Sequence, residues 1–120
     1  MNEDDMLILG RSLMDQFELP DWKIDIDDSK SHIGMCHQRK QTIMLSRFYC
    51  THMTEKEVRD VILHEIAHAL TPGQKHNRIW KRMCVQIGAI PKRCSLVEIP
   101  ITSYKHRYKC KSRVWRARVS

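Results

Sequence analysis

The amino-acid sequence predicts an α+β fold, and two kinds of periodicity lead to that prediction. Apolar residues recur at helical spacing in three segments, one near the N-terminus and one on either side of residue 72. Apolar and polar residues alternate in short stretches between residues 22 and 46, and again from about Ile99 to Val119. The expected order is therefore one helix, three strands, two helices and basic C-terminal strands.

The first part of the chain supplies the N-terminal helix and a small three-stranded sheet. We expect Asp4 or Asp5 to cap a helix that runs to about Phe17. Residues 22–27 alternate between apolar and polar side chains, as in a half-buried strand. Residues 33–37 and 42–46 then favour a hairpin that turns around residues 38–40.

Two helices follow the sheet. Thr54 and Glu57 have the spacing of a capping box, and apolar residues recur at helical spacing until the Pro-Gly pair at 72–73. A second helical pattern begins near His76, and Gly88 ends it. The apolar residues of this second pattern are Trp80, Met83, Cys84 and Ile87.

The HExxH sequence at residues 64–68 is the most informative motif. On a helix, a four-residue step places His64 and His68 on one face, so that one nitrogen of each ring can reach the same Zn²⁺. Glu65 lies beside them, where its carboxylate can act as a general base on a metal-bound water. The motif predicts a metal-dependent hydrolase, most often a metalloprotease.

A catalytic zinc usually has three protein ligands and an open position for water. His76 is the best candidate for the third ligand, because the turn at residues 71–75 can bring the chain back towards the first site helix. The alternative is that His76 is an ordinary residue at a helix start. The prediction is one catalytic Zn²⁺ held by His64, His68 and His76, with Glu65 as the catalytic residue.

The run from His64 to Trp80 resembles the SprT-like zinc metalloprotease family, especially its short members from bacteriophages and bacteria. The shared landmarks are the HExxH helix, the Pro-Gly turn, the third His at 76 and a Trp four residues later. The resemblance is dense from about Val58 to Cys94. It implies a minimal gluzincin-like metalloprotease domain. The family includes Spartan, which digests proteins crosslinked to DNA, so the resemblance also implies DNA-associated protein substrates.

The C-terminal region departs from the pattern of that family. Relatives often carry a zinc ribbon there with paired CxxC elements, whereas this chain offers only Cys94 and Cys110. A four-Cys zinc site cannot be built from this tail, although a site formed by Cys94, His106 and Cys110 stays open. We expect a single domain over residues 1–120, with a catalytic core at 1–98 and a basic β tail, a degenerate zinc ribbon, at 99–120.

Charge divides the chain into an acidic and a basic part. Residues 1–70 hold 8 Lys/Arg and 13 Asp/Glu, whereas residues 71–120 hold 13 Lys/Arg and a single acid, Glu98. Basic residues interleaved with aromatic ones favour contact with nucleic acid, and a merely solvated face or an acidic protein partner is the alternative. The candidate nucleic-acid-binding residues are Lys75, Arg78, Lys81, Arg82, Lys105, Arg107, Lys109 and Lys111.

Two other function classes stay open at this level: a nucleic-acid-binding module with a structural zinc, and a non-proteolytic zinc hydrolase that acts on nucleic acid. The acidic N-terminus lacks the basic region of a signal peptide, no apolar run approaches 18 residues, and five Cys is an odd count for a disulfide framework. We expect a cytoplasmic protein without membrane contact, in the host cytoplasm if a phage encodes it. The expected partners are a protein substrate and DNA.

Overall fold

The computed structural model describes residues 1–74, 76–89 and 118–119. The helices are α1 (Glu3–Gln16), α2 (Arg47–Cys50), α3 (Glu55–Leu70) and α4 (Arg78–Ile87). The strands are β1 (Lys23–Asp27), β2 (His32–His37), β3 (Thr42–Ser46) and β4 (Arg118–Val119). The predicted α+β class is confirmed. None of the helices in these ranges combines the length and the apolar composition that a membrane crossing would need.

The N-terminal helix starts slightly earlier than the sequence suggested. Asn2 is its cap, because the Asn2 side-chain oxygen accepts a hydrogen bond from the backbone N–H of Asp5 at 2.8 Å. The expectation that Asp4 or Asp5 would be the cap was therefore wrong. Both acids lie in the first turn of α1 instead, where negative charge is favoured by the helix dipole.

The sheet has the strand order β1-β3-β2-β4. The predicted hairpin is confirmed, since β2 runs antiparallel to β3, with Gly34 opposite Leu45. β1 lies on the other side of β3 and runs parallel to it, with Ile24 opposite Ile43. β3 is therefore the central strand of the first three, and the side chains of Ile43 and Leu45 are buried.

A short fourth strand extends this sheet. β4 pairs in parallel with β2, and Gly34 lies opposite Val119. The sequence predicted basic strands at the C-terminus but did not place them in the same sheet. The rest of the expected hairpin over residues 99–119 lies outside the described residues.

The site helix α3 forms much of the core. The predicted capping box is confirmed: the Thr54 hydroxyl oxygen accepts from the backbone N–H of Glu57 at 3.2 Å, and the Glu57 carboxylate accepts from that of Thr54 at 2.8 Å. The apolar residues of α3 pack on α1 and on the sheet. Leu70 is the last residue of the helix, just before the predicted Pro-Gly stop.

Glycine at position 34 allows β2 to lie close to α3. A Cβ atom at Gly34 would lie 2.8 Å from Cγ1 of Val61 and 3.4 Å from Cγ of Glu65. The first distance is shorter than van der Waals contact permits, so a larger residue would push the strand and the helix apart. Gly34 therefore sets the distance between the sheet and the part of α3 that carries Glu65.

Candidate metal centre

The last two turns of α3 bury three polar side chains in an otherwise apolar environment. His64 and Glu65 have no exposed surface, and His68 is 8% exposed. Burial of polar groups costs free energy unless they gain partners, and burial of a carboxylate costs most of all. Three such residues within five positions of one core helix therefore indicate a functional centre.

His76 lies in the loop between α3 and α4 and faces His68. The loop turns back because the N–H of Gln74 donates to the carbonyl of Thr71 at 3.0 Å, with Gly73 at a φ of 81°. This positive φ suits glycine, which lacks the Cβ that makes it unfavourable for other residues. The turn brings Nε2 of His76 to 3.3 Å from Nε2 of His68.

The distance between His68 and His76 suits zinc. Two nitrogens bound to one tetrahedral zinc at about 2.0–2.1 Å lie about 3.3 Å apart. Among residues 1–74 and 76–89, however, no three His, Cys, Asp or Glu side chains form a group that could hold a metal ion. His68 and His76 thus have the spacing of a ligand pair, and His64 lies one turn before His68 on α3.

Polar groups lie near the Nδ1 atoms of His64 and His68. Nδ1 of His64 is 3.6 Å from Oδ2 of Asp60, one turn earlier on α3. Nδ1 of His68 is 3.4 Å from the carbonyl oxygen of Gln74. Carboxylates and carbonyls in such positions commonly orient metal-binding histidines and leave Nε2 for the metal. Asp60 was not predicted, although a carboxylate four residues before His64 shares its helix face and could have been recognised.

Trp80 of α4 touches all three histidines. Its ring centroid is 5.5 Å from that of His64, 5.2 Å from that of His68 and 4.7 Å from that of His76. The indole N–H also donates to the backbone carbonyl of His64 at 3.3 Å. The sequence marked Trp80 as an apolar helix position and a landmark, and the fold places it at the centre of the histidine cluster.

A residue of the β2–β3 turn also contacts the site helix. The side-chain amide of Gln38 donates to the backbone carbonyl of His68 at 2.6 Å. This carbonyl lies in the last turn of α3, where carbonyl groups no longer all have helical partners. Gln38 therefore links the sheet to the end of the site helix, a contact that no local sequence pattern could reveal.

The thiols of two cysteines are affected by burial and by the acidic residues of the centre. Burial first, and then the nearby Glu65 carboxylate, raises the pKa of the Cys36 thiol to about 12. The pKa of Cys84 is also about 12, through burial first and then through Asp60 and Glu65. Both thiols are therefore protonated near neutral pH.

The predicted basic residues are only partly described. Arg78, Lys81 and Arg82 are exposed on α4 and line a surface cavity of about 590 Å³ together with Val85 and Gln86. The other candidates, together with the alternative metal ligands, lie outside the described residues. These are Lys75, Lys105, Arg107, Lys109 and Lys111, and Cys94, His106 and Cys110.

Comparisons with known proteins concern the fold and the family of the chain. The crystal structure of the metallopeptidase zymogen abylysin from Pyrococcus abyssi superimposes with a TM-score of 0.53 and 22% identity, covering 67% of this chain and 73% of that one. This likeness shows a shared fold. No curated protein matches the sequence. The sequence profile of the SprT-like family matches residues 3–105, a range that contains both site helices. The chain belongs to the SprT-like family.

Proposed function

We propose that the protein is a zinc-dependent metallopeptidase that hydrolyses peptide bonds in DNA-associated proteins. The observation that carries the proposal is the buried Glu65 carboxylate, which lies beside His64 on a helix whose next turn presents His68 to His76. Membership of the SprT-like family and a fold shared with a metallopeptidase support the same reaction class.

The donor set fits zinc. His64, His68 and His76 would hold the ion, since imidazole nitrogen is a favoured zinc donor and three such ligands leave one position open. The spacing of His68 and His76 already matches a tetrahedral site, and His64 is on the same helix one turn away. When bound, zinc polarises a water molecule and the carbonyl group of the substrate.

Glu65 moves the proton in this mechanism. Its carboxylate accepts a proton from the attacking water and then gives that proton to the nitrogen of the leaving amine. The close approach of β2 at Gly34 restricts the side chain of Glu65 from the sheet side.

The exposed face of α4 supports DNA as a partner. Arg78, Lys81 and Arg82 lie together there, with no acidic residue in the helix. Guanidinium and ammonium groups bind phosphates and release condensed counterions when they do so. We propose that these residues, with Lys75, Lys105, Arg107, Lys109 and Lys111, hold the enzyme near DNA-bound substrates. Selection of the substrate would then depend on location more than on side-chain sequence.

A cleavage assay with metal analysis tests the enzyme proposal. The zinc-loaded wild-type protein and Glu65→Gln are each given casein, and then a protein crosslinked to DNA. We expect the wild type to cleave both, and Glu65→Gln to keep zinc but lose cleavage. A wild-type protein that holds zinc through His64 and His68 and cleaves no protein would instead favour the structural-zinc module. Cleavage of nucleic acid alone would favour the other zinc hydrolase.

A salt titration of DNA binding tests the DNA proposal separately. In fluorescence anisotropy, affinity should fall steeply as salt rises, and the triple change Arg78→Gln/Lys81→Gln/Arg82→Gln should flatten that dependence. The matched control is Arg39→Gln/Lys40→Gln/Lys56→Gln, which removes three exposed cations elsewhere. Both variants should still cleave a small unstructured peptide. Equal salt dependence in the two triple variants would exclude α4 as a DNA contact.

A further inference from the structure

We propose that Trp80 is a positioning residue that presets the imidazoles of His64, His68 and His76 for the metal. This inference rests on the proposed function, because it takes those three histidines to be the ligands of the zinc. It adds a residue that binds neither metal nor substrate but decides how the ligands are presented.

The contacts of the indole ring carry the inference. Trp80 is fully buried, and its ring lies within 4.7–5.5 Å of all three imidazoles, measured between centroids. The His64 and His68 rings are inclined to the indole by only 28° and 23°, whereas the His76 ring stands at 90° to it. Stacked and edge-to-face contacts are the arrangements that aromatic rings favour at such distances.

Stacking adds to the orientation that hydrogen bonds usually provide. Metal-binding histidines are commonly oriented by donation from the second ring nitrogen to a carboxylate or carbonyl. Here the corresponding separations are 3.6 Å from His64 to Asp60 and 3.4 Å from His68 to Gln74. The indole provides a flat face against which the planes of these two rings are held.

The indole itself is held from two sides. Its N–H donates to the carbonyl of His64 at 3.3 Å, which joins α4 to α3 at the first ligand. The backbone N–H of Trp80 donates to the side chain of Asn77, the cap of α4, at 3.1 Å. The side-chain amide of Asn77 in turn donates to Gln74, in the loop that carries His76. The position of Trp80 is thus coupled to both protein segments that supply the histidines.

The electronic character of the indole favours the metal-bound state. The face of an aromatic ring carries negative charge density, and tryptophan has the strongest such face among the side chains. An imidazole that donates to a cation becomes more positive, so its stacking on the indole should strengthen when metal binds. Trp80 should therefore contribute to zinc affinity, besides its contribution to packing.

Zinc affinity measured by competition with a chelating dye tests this role. We expect Trp80→Leu to weaken zinc binding about 10–100-fold, the range found when groups that orient metal ligands are removed. Trp80→Phe keeps an aromatic face but loses the N–H, so it should lose less. The matched control is Trp22→Leu, which removes another buried tryptophan, the residue just before β1. That variant should bind zinc as the wild type does.

NMR of the metal-free protein provides a second readout. Ring protons of His64 and His68 should be shifted upfield in the wild type by the indole ring current, and Trp80→Leu should remove the shift. If Trp80→Leu fails to fold, Trp80→Phe and the wild-type spectrum decide. The inference is overturned if the upfield shift is absent. It is also overturned if Trp80→Leu weakens zinc binding no more than Trp22→Leu does, when urea unfolding shows that both variants lose the same free energy of unfolding.

The two proposals can fail separately. A wild-type protein that binds no zinc, or whose cleavage does not depend on Glu65, counts against the proposed function, while the NMR shifts still test the role of Trp80. A zinc-dependent wild-type enzyme whose affinity is unchanged in both Trp80 variants counts against the positioning role alone.

Discussion

Histidine ring nitrogens meet different groups at two sites in this structure. Beside the β1–β2 loop, Nε2 of His32 is 3.3 Å from a carboxylate oxygen of Asp27, and Nδ1 is 3.1 Å from the hydroxyl of Ser29. At the candidate metal centre, His68 and His76 face each other, with Nε2 atoms 3.3 Å apart. The first ring lies between two oxygen groups, and the second pair brings together two nitrogens of the same kind.

This difference separates a structural histidine from a candidate ligand. The Ser29 hydroxyl oxygen also accepts the backbone N–H of Ser31, so His32 completes a local network that closes the loop. Two imidazole nitrogens that face each other can form one hydrogen bond only if one is protonated and the other is not. A metal ion can accept both lone pairs at once. Burial alone does not identify a ligand, and the identity of the facing group is more informative.

The largest expected effect is a loss of bound zinc. His68→Ala should reduce zinc from about one ion per chain to almost none, because a three-nitrogen site loses a ligand. His32→Ala should leave zinc content unchanged. Metal analysis of the dialysed proteins measures both. Zinc loss in His32→Ala equal to that in His68→Ala would show that the two clusters do not differ in the way their geometry indicates.

The next effect concerns catalysis. Glu65→Gln should lower the rate of peptide cleavage about 10²–10⁴-fold, the usual contribution of a general base, because an amide cannot accept the proton of the attacking water. Zinc content should stay that of the wild type. The rate is measured with a fluorogenic peptide at saturating zinc. Turnover close to the wild-type value would remove Glu65 from the mechanism.

Two substitutions with similar costs in unfolding free energy should differ in their effect on cleavage. Gly34→Ala forces a Cβ against Val61 and Glu65 and should cost about 1–3 kcal/mol of unfolding free energy, as overpacking does. His32→Ala should cost a similar amount, about 1–2 kcal/mol, through lost hydrogen bonds. Urea unfolding measures both. Of the two variants, only Gly34→Ala should also lower cleavage, since its new Cβ would press on Glu65. Equal activity in the two variants would contradict this.

The smallest effect is a change in thiol ionisation. Burial raises the pKa of Cys50 to about 12, with a minor contribution from Asp27, just as burial and Glu65 raise that of Cys36. Removing the charge in Glu65→Gln should lower the pKa of Cys36 and leave that of Cys50 unchanged. Rates of iodoacetamide labelling against pH, resolved by mass spectrometry, measure both. An unchanged pKa of Cys36 would mean that the charge of Glu65 does not affect the ionisation of that thiol.

The same shifts predict how stability depends on pH. In the unfolded chain these thiols ionise near 9.0, whereas in the folded protein they ionise only near 12. Unfolding therefore releases protons between these values. By linkage, this contribution to the unfolding free energy is constant below about pH 9 and becomes less favourable as pH rises towards 12. Urea midpoints at pH 8 and pH 10 should show the decrease, and Cys50→Ala should reduce it.

Local sequence determined the elements that depend on short-range contacts. The capping box of α3, the hairpin of β2 and β3, and the end of α4 at Gly88 were all predicted and are confirmed. Each depends on residues only a few positions apart, so the sequence contains the whole interaction. The helical period likewise places His64 and His68 on one face of α3, one turn apart.

Tertiary structure decided the contacts between distant segments. The parallel pairing of β1 with β3, the approach of Gly34 to Glu65 and the hydrogen bond from Gln38 to His68 join positions far apart in the chain. Such pairings are chosen by how the complete core packs, and no local period encodes that. The four-residue helix α2 was missed as well, because it is too short to show a helical period.

The candidate metal centre shows both levels together. The candidate ligands, their spacing on α3 and the turn that returns His76 could be read from the sequence, because they follow from helix geometry and from the residues of one short loop. Only the tertiary structure decided that Trp80 lies against all three imidazoles. That contact requires α4 to pack on α3 at one particular crossing, and the packing is fixed by side-chain shape over the whole interface.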